Sequence, residues 1–373
     1  MSWSLLFSVP HVRTLEKLTI RGFKSIRDQS LALGPLNLFI GANGAGKSNL
    51  IEVFRFLREI VTQNLQRYTA IKGGPDALLH FGRKQTPELH FELEFGGGWL
   101  TTAYEVALIP TEYNKLILSH EYVEKESGGG TFGGFDGIGA PESVLKGHRD
   151  DEIVRHILAD LENYRVYHFH DTSSSAPMKQ LGDVDDNRYL RAQAENLAAY
   201  LYFLQQKHPE HFALIEGSVR QIAPFFDRFA LAPSRLDESR IQLEWKERGR
   251  DNFFKASALS DGTLRFICLA TLLLQPELPG LVILDEPELG LHPAAITMLA
   301  EMLSAAATRT QVVAATQSVT LIDQFEPKQV WAVERDEKGA SRFRCLASED
   351  MSAWLDDYSL GELWEKNLLG ARP

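Results

Sequence analysis

Cysteine is nearly absent. Only Cys268 and Cys345 occur, in segments that read as helix and strand, so neither a disulfide framework nor a cysteine-based metal centre is available, and two buried, inert thiols are expected. Long apolar runs are missing too. No stretch approaches the roughly 20 apolar residues that a bilayer requires. The opening "MSWSLLFSVP" lacks the basic n-region and small-residue cleavage site of a signal peptide, so a cytoplasmic protein with no membrane part is expected. Positive charge is in short supply: 39 Lys and Arg stand against 50 Asp and Glu, a formal net charge of -11. Proteins that coat nucleic acid non-specifically are usually basic, because phosphate neutralisation supplies most of that affinity. Any DNA contact must therefore come from a local patch or from a surface that a partner completes. No internal repeat and no sustained heptad pattern occurs, which excludes solenoids and a long coiled-coil rod.

What is present is an ordinary globular composition, with 44% hydrophobic residues, enough to bury a core. Residues 14–40 read as two strands, "TLEKLTIRGF" and "SLALGPLNLFI". Residues 47–63 read as a helix, with Leu50, Ile51, Phe54, Leu57, Ile60 and Val61 on one face. Strand-like stretches follow "LLHFGR", then glycine-rich 127–142 reads as a long loop or disordered tip. Residues 151–163 read as a helix and 188–226 as mainly helical. "RIQLEWKERG" and "DNFFKASAL" read as a hairpin. A helix is expected after Ser260, a buried strand at "GLVILDE", a helix at "PAAITMLAEMLSAAA", a buried strand at "TQVVAATQS" and a closing hairpin.

Three motifs carry chemistry. Gly41 to Ser48 fits G-x-x-x-x-G-K-[ST] between a strand and an amphipathic helix. Such a loop lets backbone N–H groups curl around phosphates, and the helix start behind it adds its positive dipole end. In it Lys47 neutralises the β/γ oxygens and the Ser48 hydroxyl takes a place on Mg²⁺. The cradle comprises Gly41, Ala42, Asn43, Gly44, Ala45, Gly46, Lys47, Ser48 and Asn49. In the second motif, "GLVILDEPELGLHP", apolar residues deliver Asp285 and Glu286 to a strand end. Asp285 would hold Mg²⁺ directly or through water, and Glu286 is placed to polarise an attacking water. The third is "ALSDGTLRF", where Ser260 has the chemistry of an N-cap, Asp261 follows and Gly262 permits close backbone approach. A second phosphate receptor in one chain makes sense if it serves the terminal phosphate on another copy.

The order "FKS", "GANGAGKSN", "LSDGT", "LVILDEPELGLHP", "ATQS" resembles the ABC-type ATPase heads of the RecF/SMC/OLD group, above all the bacterial AAA-family ATPases in which "LSDGTLR" and "EPE-GLHP" recur. The resemblance spans about residues 14–346. It implies an α/β P-loop NTPase fold, with a mixed central sheet, an antiparallel β subdomain and an inserted, mainly helical lobe. It also implies one ATPase head over 1–373: lobe I at 14–150, helical lobe II at 151–258, signature, Walker B and switch strand at 259–346, and a tail at 347–373. ATP and Mg²⁺ are the implied cofactors, sandwiched in a homodimer, with Ser260, Asp261 and Gly262 acting in trans. Residues 288–292 match the D-loop, and Lys24 and Ser25 lie where the group contacts nucleotide. Gln317 stands where many relatives carry a switch histidine. Glutamine hydrogen-bonds a phosphate or water but carries no proton near neutral pH, so slow hydrolysis is expected. With so short a stretch after "ATQS", the Toprim nuclease domain appended in OLD proteins is not expected.

Weaker signals resolve to plainer readings. His168 and His170 in "YHFHDT" form a potential ligand pair, but no cysteine or third histidine is tied to them by spacing. "GDVDDN" reads as an acidic loop and "HPEHF" as a helix break. The basic and aromatic residues between Arg235 and Lys255 share their segment with acids and read better as a solvated hairpin than as a nucleic-acid strip. Two functions remain open: an ATP-driven dimeric switch on DNA in repair or phage defence, and a regulatory ATPase scaffold that holds and releases an effector encoded nearby, such as a nuclease.

Overall fold

The computed structural model describes residues 13–96, 101–127, 130–133, 137–348, 354 and 356–371. The chain divides into two compact units. One comprises 1–166, 279–283 and 307–373; the other comprises 167–278 and 284–306.

In chain order, the first unit opens with strands β1 (Thr14–Phe23), β2 (Ile26–Ala32) and β3 (Leu36–Ile40). The expected second strand is thus two. Gly34 and Pro35 break it, and the Leu33 amide donates to the Glu16 carbonyl at the corner. Helices α1 (Lys47–Val61) and α2 (Leu65–Ile71) follow, then β4 (Leu89–Gly96), β5 (Thr101–Pro110), β6 (Leu116–Ser127), β7 (Gly130–Gly133), helix α3 (Glu152–Glu162) and β8 (Tyr164–Tyr167). Strand β7 falls inside the glycine-rich stretch expected to be a loop, and it pairs antiparallel with β6. Residues 128–129 and 134–136 of that stretch lie outside the described residues.

The second unit begins with β9 (Gly182–Asp183), α4 (Leu197–Lys207), α5 (Pro209–Ile222), β10 (Phe226–Phe229), β11 (Arg240–Ile241), β12 (Glu244–Glu247), β13 (Phe253–Lys255) and α6 (Asp261–Leu274). The chain continues through β14 (Leu281–Asp285), α7 (Pro293–Ala306), β15 (Gln311–Thr316), α8 (Val319–Ile322), β16 (Val330–Arg335), β17 (Ser341–Cys345) and α9 (Leu360–Glu365).

Two six-stranded sheets organise the first unit. One has the order β2-β1-β4-β5-β6-β7, and its pairings are antiparallel throughout. The other runs β17-β16-β3-β15-β14-β8. Its central strand β3 is buried at every residue and lies parallel to both β15 and β16, which accounts for the unbroken apolar run "LNLFI". Helix α1 turns Leu50, Ile51, Val53, Phe54, Phe56, Leu57, Ile60 and Val61 inward. The Phe56 ring packs 5.5 Å from Phe23 and 5.8 Å from Phe91, joining helix to antiparallel sheet. The 347–373 stretch belongs to this unit: Trp364 is fully buried, and its indole donates to the Ala371 carbonyl at 2.6 Å.

The second unit centres on α6, whose residues from Phe266 to Leu274 are all buried. Residues 188–196 precede the helical stretch without joining it; α4 starts only at Leu197, after the Asn196 side chain has accepted from the Arg191 amide. The expected hairpin appears as β12 and β13, with β10 on its other side. His208 does separate α4 from α5. Cys268 is buried, and burial drives its thiol pKa far up. Cys345 is only half-buried, a departure from the expected pair of buried thiols, because it ends β17 beside the Lys328 carbonyl.

Candidate functional site

The first unit carries the phosphate-loop sequence. Strand β3 delivers Gly41, and the chain turns through Ala42, Asn43, Gly44 and Ala45 into Gly46, the N-cap of α1. Gly46 has φ 125°, and a Cβ there would lie 2.1 Å from Ser341 Oγ. Only glycine satisfies both constraints. Lys47 is 6% exposed, and its ammonium folds back over the loop to donate to the carbonyls of Gly41 and Ala42. Ser48 and Asn43 are exposed.

The start of α1 differs from that of α6. Helix α1 is 15 residues long, no side chain caps its N-terminus, and no acid stands in its first turn. No side chain caps its leading N–H groups, and its own first turn sets no acid against the positive end of its dipole, an arrangement that suits an oxyanion ligand.

Beneath the loop lies a buried hydroxyl network that the sequence did not disclose. Ser25 accepts from Asn49 Nδ2 at 2.6 Å and from Ser341 Oγ at 2.7 Å; Ser341 Oγ also stands 2.6 Å from the Ala45 carbonyl. The Ser341 amide donates to the Ser25 carbonyl at 2.7 Å. Ser25 is therefore brought to the loop as a support, together with Asn49. Arg335 Nε donates to the Gly44 carbonyl at 2.8 Å, fixing the loop tip to the end of β16. Neither Ser341 nor Arg335 carries a local motif, and nothing short of the strand pairing would reveal them.

Lys24 has φ 47°, and its ammonium is held by Glu52 on α1, which also pairs with Lys72 at 2.7 Å and accepts from Tyr68 at 2.9 Å. Burial alone would raise the Glu52 carboxyl. The bonds from Lys24 and Lys72 more than offset it and hold the group below its usual range. Gln317 follows β15 directly. Thr316 is the parallel partner of Ile40, so Gln317 leaves its strand level with Gly41 on the next one.

The second unit carries the other two motifs. Ser260 caps α6, its hydroxyl accepting from the Thr263 amide at 3.2 Å. Asp261 is largely exposed and lies 3.6 Å from the ammonium of Lys179, itself 8% exposed. Gly262 is required by contact, since a Cβ would meet the Gly290 carbonyl at 2.5 Å. Arg265 donates to the carbonyls of Leu289, at 3.0 Å, and His170, at 2.8 Å. The helix start and the Leu289–Gly290 turn are thus locked together.

Asp285 ends β14 and Glu286 follows with φ 45°, a left-handed backbone that a non-glycine residue adopts only where its surroundings enforce it. His168 and His170 are not simple surface residues. His168 Nδ1 is 3.9 Å from the Asp285 carboxylate, and His170 Nε2 is 2.8 Å from the Asp285 carbonyl. Among the described residues no three His, Cys, Asp or Glu side chains are grouped as a metal cage. The acidic loop uses its own carboxylates: Asp183 accepts from the Asp185 amide and Asp186 from Arg191.

The comparisons agree with this reading of the fold. The family described as "AAA domain, putative AbiEii toxin, Type IV TA system" matches residues 36–323. The chain belongs to that family. Among curated proteins it is similar to the DNA replication and repair protein RecF of Renibacterium salmoninarum, 38% identical over 72 residues, 19% of this chain and 16% of that one. RecF of Magnetococcus marinus is 39% identical over 90 residues, 22% of each chain. The matches therefore span about a fifth of these relatives' length. Among solved structures, an SMC head bound to the C-winged helix domain of ScpA aligns at TM-score 0.59 with 14% identity, covering 88% of this chain and 96% of that one. An SMC head with an extended coiled coil, bound to the C-terminal domain of ScpA derived from Pyrococcus furiosus, aligns at TM-score 0.51 with 13% identity, covering 92% and 99%. Among the described residues no helix is long and apolar enough to cross a membrane.

Proposed function

We propose that this protein binds ATP with Mg²⁺ on the loop Gly41–Asn49, hydrolyses it, and works as a nucleotide-driven dimeric switch. The observation that carries the reading is the pairing of an uncapped, acid-free α1 start with the buried Lys47 ammonium folded over the loop. A bound Mg²⁺ would neutralise phosphate charge, with the exposed Ser48 hydroxyl and the Asp285 carboxylate as its protein ligands. Lys47 orients and neutralises the phosphates. Glu286, presented on a strained turn, accepts the proton of the attacking water, and Gln317 positions that water or the terminal phosphate without taking a proton itself. Lys24 and Ser25 back the loop from the neighbouring strand turn.

The second phosphate receptor is the capped start of α6. Ser260, Asp261 and Gly262 of one copy would face the terminal phosphate held by the other, with Lys179 moderating the Asp261 charge. The two orphan roles of the motif set then become one assembly, a homodimer closed over two nucleotides.

Two outputs fit such a switch. The RecF relatives favour action on DNA in replication and repair. The family's toxin–antitoxin description and the net charge of -11 favour a scaffold that grips and releases a protein effector in antiviral defence. ATPase rate with and without duplex DNA separates them. A DNA-engaging head is stimulated several-fold in a salt-sensitive manner, whereas an effector scaffold is indifferent to DNA and co-purifies with its partner.

The catalytic reading has its own test. Lys47→Ala loses ATP binding, while Glu286→Gln keeps ATP but slows hydrolysis by about a hundredfold or more, accumulating a dimer visible by sedimentation. Hydrolysis at the parental rate in Glu286→Gln removes Glu286 from this role.

A further inference from the structure

One residue beside the phosphate loop is held at a conformational cost that the loop itself does not explain. Phe81 has φ 56° and is 54% exposed. A bulky side chain in the left-handed region is strained, and an exposed ring recovers little of that strain through burial. The surroundings nevertheless enforce the conformation. The His80 amide donates to the Gly22 carbonyl and the Lys24 amide to the Leu78 carbonyl, both at 2.7 Å. The His80 ring nitrogen Nδ1 is 2.6 Å from the Lys24 carbonyl, and Thr86 Oγ1 donates to the His80 carbonyl. The segment is thereby clamped to the turn that carries Lys24 and Ser25. The buried His80 ring backs Phe81 at 4.2 Å between centroids, which fixes the aromatic face.

The location is equally specific. The tip of the Phe81 ring lies 3.5 Å from where a Cβ on Gly339 would stand. The carbonyls of Gly339 and Gly44 are both held by one guanidinium, that of Arg335. One guanidinium therefore spans from the tip of the phosphate loop to the glycine that the Phe81 ring approaches. An open groove of about 450 Å³ borders this hairpin, lined by Arg27, Glu334 to Lys338 and Arg342.

We propose that Phe81 is the platform on which the base of the bound nucleotide stacks. The assignment rests on the phosphate-loop reading above and adds to it the part of the ligand that the loop cannot recognise. It also explains why a strained aromatic is kept in water: aromatic faces bind bases through stacking that needs no particular hydrogen-bond pattern.

The test compares MgATP with magnesium tripolyphosphate, which has the phosphates but no base, by titration calorimetry. The useful variant is Phe81→Asn, because asparagine tolerates the left-handed region. It is expected to weaken ATP binding about tenfold or more, leave tripolyphosphate binding unchanged, and hold or raise the melting temperature. Phe81→Trp is expected to restore ATP affinity. Parental ATP affinity in Phe81→Asn overturns the proposal, as does a loss shared equally by ATP and tripolyphosphate. A parent protein that binds tripolyphosphate as tightly as ATP removes the base platform and leaves the phosphate loop standing. One that binds neither removes both.

Discussion

A methyl group at residue 46 would press on Ser341, whose hydroxyl supports both Ser25 and Ala45, while the backbone demands φ 125°. Gly46→Ala combines backbone strain with overpacking and is expected to cost about 2–4 kcal/mol of stability, along with nearly all ATP binding. A thermal melt and a binding titration check this, and an alanine variant as stable as the parent would contradict it. Ser341→Ala tests the same network more gently. It leaves Asn49 as the one donor to Ser25 Oγ among the described residues and is expected to cost about 1–3 kcal/mol without changing the backbone of the loop. At this scale the polar residues under the loop are supports for the proposed phosphate cradle, distinct from the groups assigned to the phosphate itself.

At the scale of the element, two helix starts in one chain do opposite things. Helix α1 leaves its first N–H groups without a side-chain cap, whereas α6 supplies its own hydroxyl from Ser260. Ser260→Ala should therefore lower stability by about 1 kcal/mol through loss of the cap, and Ser260→Asp should retain it. Ser260→Arg puts bulk at the face proposed to meet the partner, and a positive charge against the positive end of the α6 dipole. It is expected to leave ATP binding intact while abolishing the ATP-induced dimer, as read by sedimentation with a non-hydrolysable analogue. An unchanged dimer fraction would remove the signature helix from the interface.

The same scale shows what could be read from the chain. Strand β3, the loop, α1 and β14 were legible because period, glycine spacing and a terminal acid pair are local signals. The break at Gly34–Pro35 was available in the letters, yet the apolar run on both sides masked it. Strand β7 was hidden because glycines advertise turns while saying nothing of a neighbour that offers them a ladder. Ser341, Arg335 and Lys179 are residues whose roles come entirely from pairing with distant sequence. His168 and His170 stood out as a pair, but the partner that gives them meaning, Asp285, is remote in sequence.

At the scale of the whole molecule, two carboxyls with opposite shifts shape stability against pH. Burial raises the Asp160 pKa to about 6, against the pull of Arg13 at 3.6 Å. A raised value contributes stability that is fully present below the unfolded pKa near 4 and is lost as pH rises through about 6. Glu52 is lowered, so its contribution is present above its unfolded value and fades as acid titrates it through the lower folded one. Denaturant melts from pH 4 to 8 should show the Asp160 loss as pH rises from about 4 to about 6, and no further loss from it above that. Asp160→Asn should flatten that limb and stabilise the protein at pH 8 by about 2 kcal/mol. A variant with the parental pH profile would mean that Asp160 is ionised without penalty.

The way the last described segment is moored bears on how genetic lesions should be interpreted. The Ala371 amide donates to Glu334 at 2.6 Å, and Glu334 precedes Arg335, the residue that clasps the Gly44 carbonyl. A late nonsense codon or a protease nick after the switch strand would therefore not trim an idle appendage. It would delete or release the buried Trp364 and slacken the strand end that holds the Gly44 carbonyl, so null phenotypes of such alleles are expected to reflect a loosened loop and not a missing docking tag.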